Sequence, residues 1–172
     1  MPMLVDRFPA TEVYDQAAER ISAVLDQGRS VAVLCEGDPF FYGSFMYLFG
    51  RLADRYPVEV IPGVSSLMAC AAALSAPLSA RNDVLIVLPA PLDDAVLEAR
   101  LALADAVAIV KIGRHFERIR ALLERTGLAE DARYVERATM DNQRVLALSA
   151  VDEKAVPYFS MILVHRRGRA WI

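Results

Sequence analysis

Two histidines and two cysteines are all that this 172-residue chain holds of the side chains on which transition-metal centres and thiol chemistry depend. His115 and His165 stand far apart, with neither a neighbouring cysteine nor a His-x-x-x-His partner, so no zinc-like ligand set is legible. Cys35 and Cys70 lie in apolar runs without ligand spacing. They read as buried thiols of a reducing compartment, and a disulfide framework is not expected. Excess positive charge is lacking too. The formal net charge of -3 offers no general attraction for nucleic acid, although Arg166, Arg167 and Arg169 form a basic tail. Long hydrophobic runs are absent: the longest, Leu67 to Leu74, falls far short of the ~20 residues that span a bilayer. No basic-then-apolar leader opens the chain, and the expected compartment is the cytoplasm. Ser65 lacks the Gly-x-Ser-x-Gly elbow of a hydrolase nucleophile, and Asp93 and Asp94 read as charges at a helix start.

What is present is material for a core. Hydrophobic residues make up 55% of the chain and charged residues 24%, as a folded globular protein requires. After Pro9, a helix opens near Thr11, carries Val13, Ala17, Ile21, Val24 and Leu25 at helical spacing, and stops at Gly28. Val31 to Cys35 reads as a strand buried on both faces, and Phe41 to Asp54 as a helix with an unusually broad apolar surface. Val58 to Ile61 is a second strand, followed by a turn at Pro62-Gly63-Val64 and a small-residue helix from Ser65 to Leu74. This alternation predicts parallel crossovers in an α/β sheet.

A break at residues 77–83 marks a domain boundary, giving domains 1–80 and 81–172. The second half predicts strands over 84–88 and 106–112, helices over 93–102 and 115–125, and strands near 133–136, 145–148 and 159–164. A mixed sheet follows from that order.

Two loops leave predicted strand ends and enter helices: Glu36-Gly37-Asp38-Pro39 and Pro62-Gly63-Val64-Ser65-Ser66. Ligands of open α/β sheets bind at that edge. Gly37 and Gly63 permit unusual backbone angles and close approach, while Asp38 and Ser65 suit helix caps; both loops are equally readable as well-made turns. Glu36 and Asp38 would repel a phosphate, so a nucleotide polyphosphate fits poorly. Their carboxylates suit ribose hydroxyls or a cation, which is compatible with S-adenosylmethionine without selecting it.

The stretches Val31-Ala-Val-Leu-Cys-Glu-Gly-Asp-Pro-Phe-Phe-Tyr-Gly-Ser-Phe, Val60-Ile-Pro-Gly-Val-Ser-Ser, Ile109-Val-Lys-Ile-Gly-Arg and Pro157-Tyr-Phe-Ser-Met-Ile-Leu-Val together resemble, in this order, the tetrapyrrole methylase family. The first stretch, running on through Met46-Tyr47, and Tyr134-Val-Glu-Arg-Ala-Thr-Met look most like the branch acting on precorrin-2 in cobalamin synthesis. The resemblance implies a class III-type fold of two small α/β domains, the first here a truncated parallel sheet and the second a mixed sheet with helices. It also implies S-adenosylmethionine as methyl donor in a cleft between the domains, and a homodimer. Carried over by motif, Gly37, Asp38, Phe41, Ser65, Ser66, Ile112, Ala138 and Ser160 are expected at the cofactor. Tyr42 and Arg114 are expected at the substrate. The implied reaction is methylation of precorrin-2 at C(20) to give precorrin-3A. Cobalt-precorrin-2, uroporphyrinogen or diphthamide precursors are alternative substrates in the same family, and a folded but inactive fragment is a further alternative. Members of the family open with a strand and a glycine-rich loop before the region matched here, so at least one strand-helix unit is expected to be missing. No catalytic base is nameable, which suits an in-line displacement driven by positioning.

Overall fold

The computed structural model describes residues 11–166; Pro9, Arg167 and Arg169 lie outside the described residues. The chain forms two compact units, Met1–Ser65 and Ser66–Ile172.

The second unit is built on one five-stranded sheet with β1 (Leu85–Pro89), β2 (Ala106–Val110), β3 (Ala132–Glu136), β4 (Arg144–Ala147) and β5 (Ser160–His165) in the order β1-β2-β5-β3-β4. β1 and β2 are parallel, and every other neighbouring pair is antiparallel. Because β5 runs against both β2 and β3, those two point the same way. Their carboxyl ends therefore emerge on one sheet edge, together with that of β1. This is the mixed sheet expected from the sequence.

The central strands are apolar because both their faces are covered: every residue of β2 is buried, as are five of the six in β5. α3 (Ser66–Leu74) packs on β3. α4 (Asp94–Leu101) and α5 (Phe116–Arg125) contribute Leu97, Leu101, Phe116, Ile119, Leu122 and Leu123 to the core. On α5 the buried positions fall at helical spacing, and Glu117, Arg118, Arg120 and Glu124 stay off that stripe. Phe116 meets Tyr134 edge-on, with ring centroids 5.7 Å apart. Asp94, read as a helix-start charge, pairs with both Arg118 and Arg125. Arg166 is not part of a free basic tail. Its guanidinium donates to the carbonyls of Leu101 and Ala104, and its main-chain N–H to that of Asp105, so it satisfies the end of α4.

The first unit holds α1 (Thr11–Leu25) and α2 (Phe45–Leu52), which pack on each other. Their contact is tied by Tyr14 against Tyr47 and by an Arg51–Asp15 ion pair at 2.6 Å. α2 is shorter than the expected 41–54 because the residues before it are spent on a turn. The expected strands at 31–35 and 58–61 carry no ladder. A strand exists only through hydrogen bonds to a neighbour, and these two segments, without a ladder, both line a cavity of about 890 Å³, with Phe45 and Leu52 from α2. Leu34 is 94% exposed and Ile61 68%. The parallel sheet expected of this unit is thus not closed among the described residues. Cys35, expected to be buried, is exposed for the same reason. Cys70 on α3 is buried as expected, and burial pushes its thiol up to about 11. No helix among the described residues is long and apolar enough to cross a membrane.

Candidate functional site

In the first unit, the two loops singled out in the sequence are stitched together by Asp38. One carboxylate oxygen accepts the N–H of Phe40 at 2.9 Å, and the other accepts that of Gly63 at 3.0 Å. The bond from Gly63, then that from Phe40, holds the Asp38 carboxyl below its ordinary value. Asp38 is therefore not a helix cap: α2 begins later, with Ser44 at its N-cap position. The crossing is tight. A Cβ on Gly63 would fall 2.2 Å from the Gly37 carbonyl oxygen, and Gly37 itself has φ +76°. Beyond the crossing the chain turns through Phe41 and Tyr42, whose rings meet edge-on at 5.0 Å, with Tyr42 at φ 54°. Glu36 is exposed beside this crossing.

In the second unit, the functional candidates gather where β2 and β3 end and β5 begins. Glu136, Ser160 and Arg144 are level across the sheet, since Glu136 pairs with both partners. Glu136 is 3% exposed and fully engaged. Its Oε2 accepts the Tyr134 phenol at 2.7 Å, and its Oε1 accepts Arg137 at 2.8 Å and Arg144 at 3.5 Å. Tyr134 and Glu136 are two apart on one strand, so their side chains share a face. Burial, and then the bond to Glu136, pushes the phenol's ionisation well above its ordinary range. The Ser160 hydroxyl donates to the Pro157 carbonyl at 2.8 Å. On the neighbouring loop, Arg114 lies against His115, whose imidazolium is disfavoured first by burial and then by Arg114 and Arg118.

The structure thus brings Gly37, Asp38, Phe41, Tyr42 and Ser65 onto two joined loops of one unit. It brings Ile112, Arg114, Ala138 and Ser160 onto one sheet edge of the other; Ser66 is the first residue of α3. Ile112 is wholly buried in the core. Sequence reasoning missed Glu136. Its neighbours Tyr134 and Arg137 read as a motif, but nothing in a lone glutamate signals burial. The detectable signal was its place in an otherwise inward-facing alternation, two residues after a core tyrosine.

The family model described as Tetrapyrrole (Corrin/Porphyrin) Methylases matches residues 1–152. Cobalamin biosynthesis protein CobIJ of Mycobacterium tuberculosis is 48% identical over 153 residues, 89% of this chain and 30% of that protein. Precorrin-2 C(20)-methyltransferase of a Sinorhizobium species is 47% identical over 154 residues, 90% of this chain and 63% of that protein. Cobalt-precorrin-2 C(20)-methyltransferase of Salmonella typhimurium is 30% identical over 168 residues, 96% of this chain and 71% of that protein. The chain therefore spans less than two thirds of the first two relatives. Among solved structures, a cobalt precorrin-4 methyltransferase superposes with a TM-score of 0.69 at 19% identity, covering 88% of this chain and 70% of that one, a likeness of fold. The two stitched loops, the mixed sheet and a match over most of the sequence lead to one assignment: this chain belongs to the tetrapyrrole methylase family.

Proposed function

We propose that this chain serves in an S-adenosylmethionine-dependent C-methyltransferase that methylates precorrin-2 at C(20), giving precorrin-3A in cobalamin biosynthesis. The observation that carries the reading is identity at nearly half of its positions with a precorrin-2 C(20)-methyltransferase across nine tenths of the chain. The donor set fits the cofactor. The exposed Glu36 carboxylate suits ribose hydroxyls or an ammonium, and Gly37 and Gly63 beside it are themselves exposed. Phe41 and Tyr42 supply aromatic surface beside them.

In this reading Gly37, Asp38, Phe41, Ser65, Ser66, Ile112, Ala138 and Ser160 hold the cofactor, and Tyr42 and Arg114 meet the tetrapyrrole. Asp38 acts by fixing the two loops to each other, since its oxygens are already committed. The cofactor brings an electrophilic methyl on a sulfonium, a good leaving group. The chain's own part is to orient the electron-rich macrocycle and exclude water. Cobalt-precorrin-2 is the second reading, favoured by the Salmonella relative, of which this chain covers 71%. The protein works in the cytoplasm as a homodimer in this reading. The exposed Met46 on α2 and the exposed Tyr42 just before it support self-association.

The test is incubation of the chain, alone and extended by the portion of the Sinorhizobium protein it does not match, with methyl-labelled S-adenosylmethionine and freshly prepared precorrin-2 or cobalt-precorrin-2. Label in a product methylated at C(20) is the expected result. No label in either tetrapyrrole, with either form of the protein, overturns the reading. Sedimentation over a wide concentration range checks the dimer, and a strictly monomeric species overturns it.

A further inference from the structure

We infer that Arg137 and Arg144, held by the buried Glu136, form a carboxylate-binding subsite on the sheet edge of the second unit. The inference rests on the reading of the ligand as a tetrapyrrole, and it names the groups of that ligand which this edge receives: peripheral carboxylates.

Charge balance is the first ground. A single carboxylate oxygen serves both guanidiniums, and the other oxygen is taken by Tyr134. Two cations thus share one buried anion, and neither guanidinium is saturated by it. The Arg137 and Arg144 side chains remain 31% and 56% exposed, so donors of each fork still face outward. A guanidinium has five N–H donors in a planar fork that matches a carboxylate.

Backbone conformation is the second, independent ground. Arg137, at the end of β3, has φ 50°, and Lys111, at the end of β2, has φ 58°. β2 and β3 point the same way, and their paired residues Ile109 and Tyr134 both face Ile162 of β5. The two strands therefore end at nearly the same level, and each is followed at once by a cation in the left-handed region. Non-glycine residues rarely occupy that region, and such strain gathers at ligand sites. Thr139, at φ 69°, continues the turn, and its N–H is fixed by the Gln143 side chain at 2.7 Å. Arg137 is further held through its main-chain N–H, which donates to the Phe159 carbonyl at 2.8 Å. The edge is thus built to hold its cations, with Arg114 adding a further one after β2.

The probes are uroporphyrin and coproporphyrin, stable macrocycles that differ chiefly in how many carboxylates they carry. Fluorescence titration of the unsubstituted chain is expected to give tighter binding of uroporphyrin, weakening as salt rises. Arg144→Gln is expected to weaken uroporphyrin binding roughly tenfold, the size of one charge-assisted hydrogen bond, and to leave coproporphyrin binding less affected. Arg144→Lys is expected to restore part of the loss, since it keeps charge and loses the fork. Arg144 is the more exposed of the pair, and unchanged thermal unfolding of both variants separates loss of a contact from loss of fold. Equal affinity of Arg144→Gln and the unsubstituted chain for uroporphyrin overturns the subsite while leaving the methyltransferase reading standing. An unsubstituted chain that binds neither macrocycle also overturns the subsite, whereas methyl transfer to precorrin-2 is judged by its own assay.

Discussion

The Gly63 N–H donates to Asp38 Oδ2 at 3.0 Å across 25 positions of sequence, and it does so where a Cβ on Gly63 would strike the Gly37 carbonyl oxygen. The hydrogen bond therefore holds the two loops at a spacing that a side chain at position 63 would not allow. Two predictions come from this crossing.

Gly63→Ala is expected to force the loops apart, at a cost of about 1–3 kcal/mol typical of overpacking. The clash is with backbone, which cannot swing aside as a side chain would. Urea unfolding monitored in the first unit should show the loss, and calorimetric titration should show weakened S-adenosylmethionine binding. Unchanged stability together with unchanged affinity would contradict the geometry.

The crossing is expected to depend on pH through Asp38. Its folded value lies below the ordinary 3.8, so the unfolded state binds the proton first as pH falls. The contribution is fully present above the ordinary value and is lost as pH falls through the lower, folded one. Amide exchange at Gly63, corrected for its intrinsic pH dependence, should lose protection across that window. In Asp38→Asn the pH-dependent part should vanish. A variant retaining the same acid transition would assign it to another carboxylate.

In the second unit, Glu136→Ala is expected to destabilise by about 3 kcal/mol, since it strips the buried Tyr134 phenol and two guanidiniums of their shared partner. Tyr134→Phe should cost less, about 1–2 kcal/mol for one lost buried hydrogen bond. A double-mutant cycle by denaturant unfolding checks the coupling, and additive losses would mean that the two side chains act separately.

Native-state hydrogen exchange is expected to separate segments that are alike in composition. Amides of 31–35 and 58–61, which have no ladder, should exchange close to the rate of unprotected chain, while those of β2 and β5 should approach the global limit. Equal protection in 31–35 and β5 would show that the first unit closes a sheet.

The comparison of 31–35 with 106–110 also shows what was legible in advance. Both are short apolar runs, and both read as buried strands. Only the second has neighbours to bond, because periodicity reports what a segment is suited to do and not whether a partner is present. In the second unit the β strands and the helices over 93–102 and 115–125 fall within a few residues of expectation, and on α5 Phe116, Ile119, Leu122 and Leu123 form the buried face. The loops 36–39 and 62–66 were visible as candidate sites from their glycines and carboxylates. The work Asp38 does there was not, because a bond to Gly63 leaves no mark in local spacing. Arg166 misled for the same reason: an arginine among arginines looks solvated, yet this one closes the end of a helix sixty-odd residues earlier.

The strand order has a consequence for synthesis. β5 occupies the middle of the sheet but is made after all its neighbours. A nascent chain that has released residues 85–147 can pair only β1 with β2 and β3 with β4, with nothing to join the two pairs. The two become a single sheet only when 160–165 leave the ribosome and slide between. Until that moment the exposed edges of β2 and β3 are templates for any other strand. The interval in which 85–147 are outside the ribosome and 160–165 are still inside should therefore be the one in which this chain most needs a chaperone.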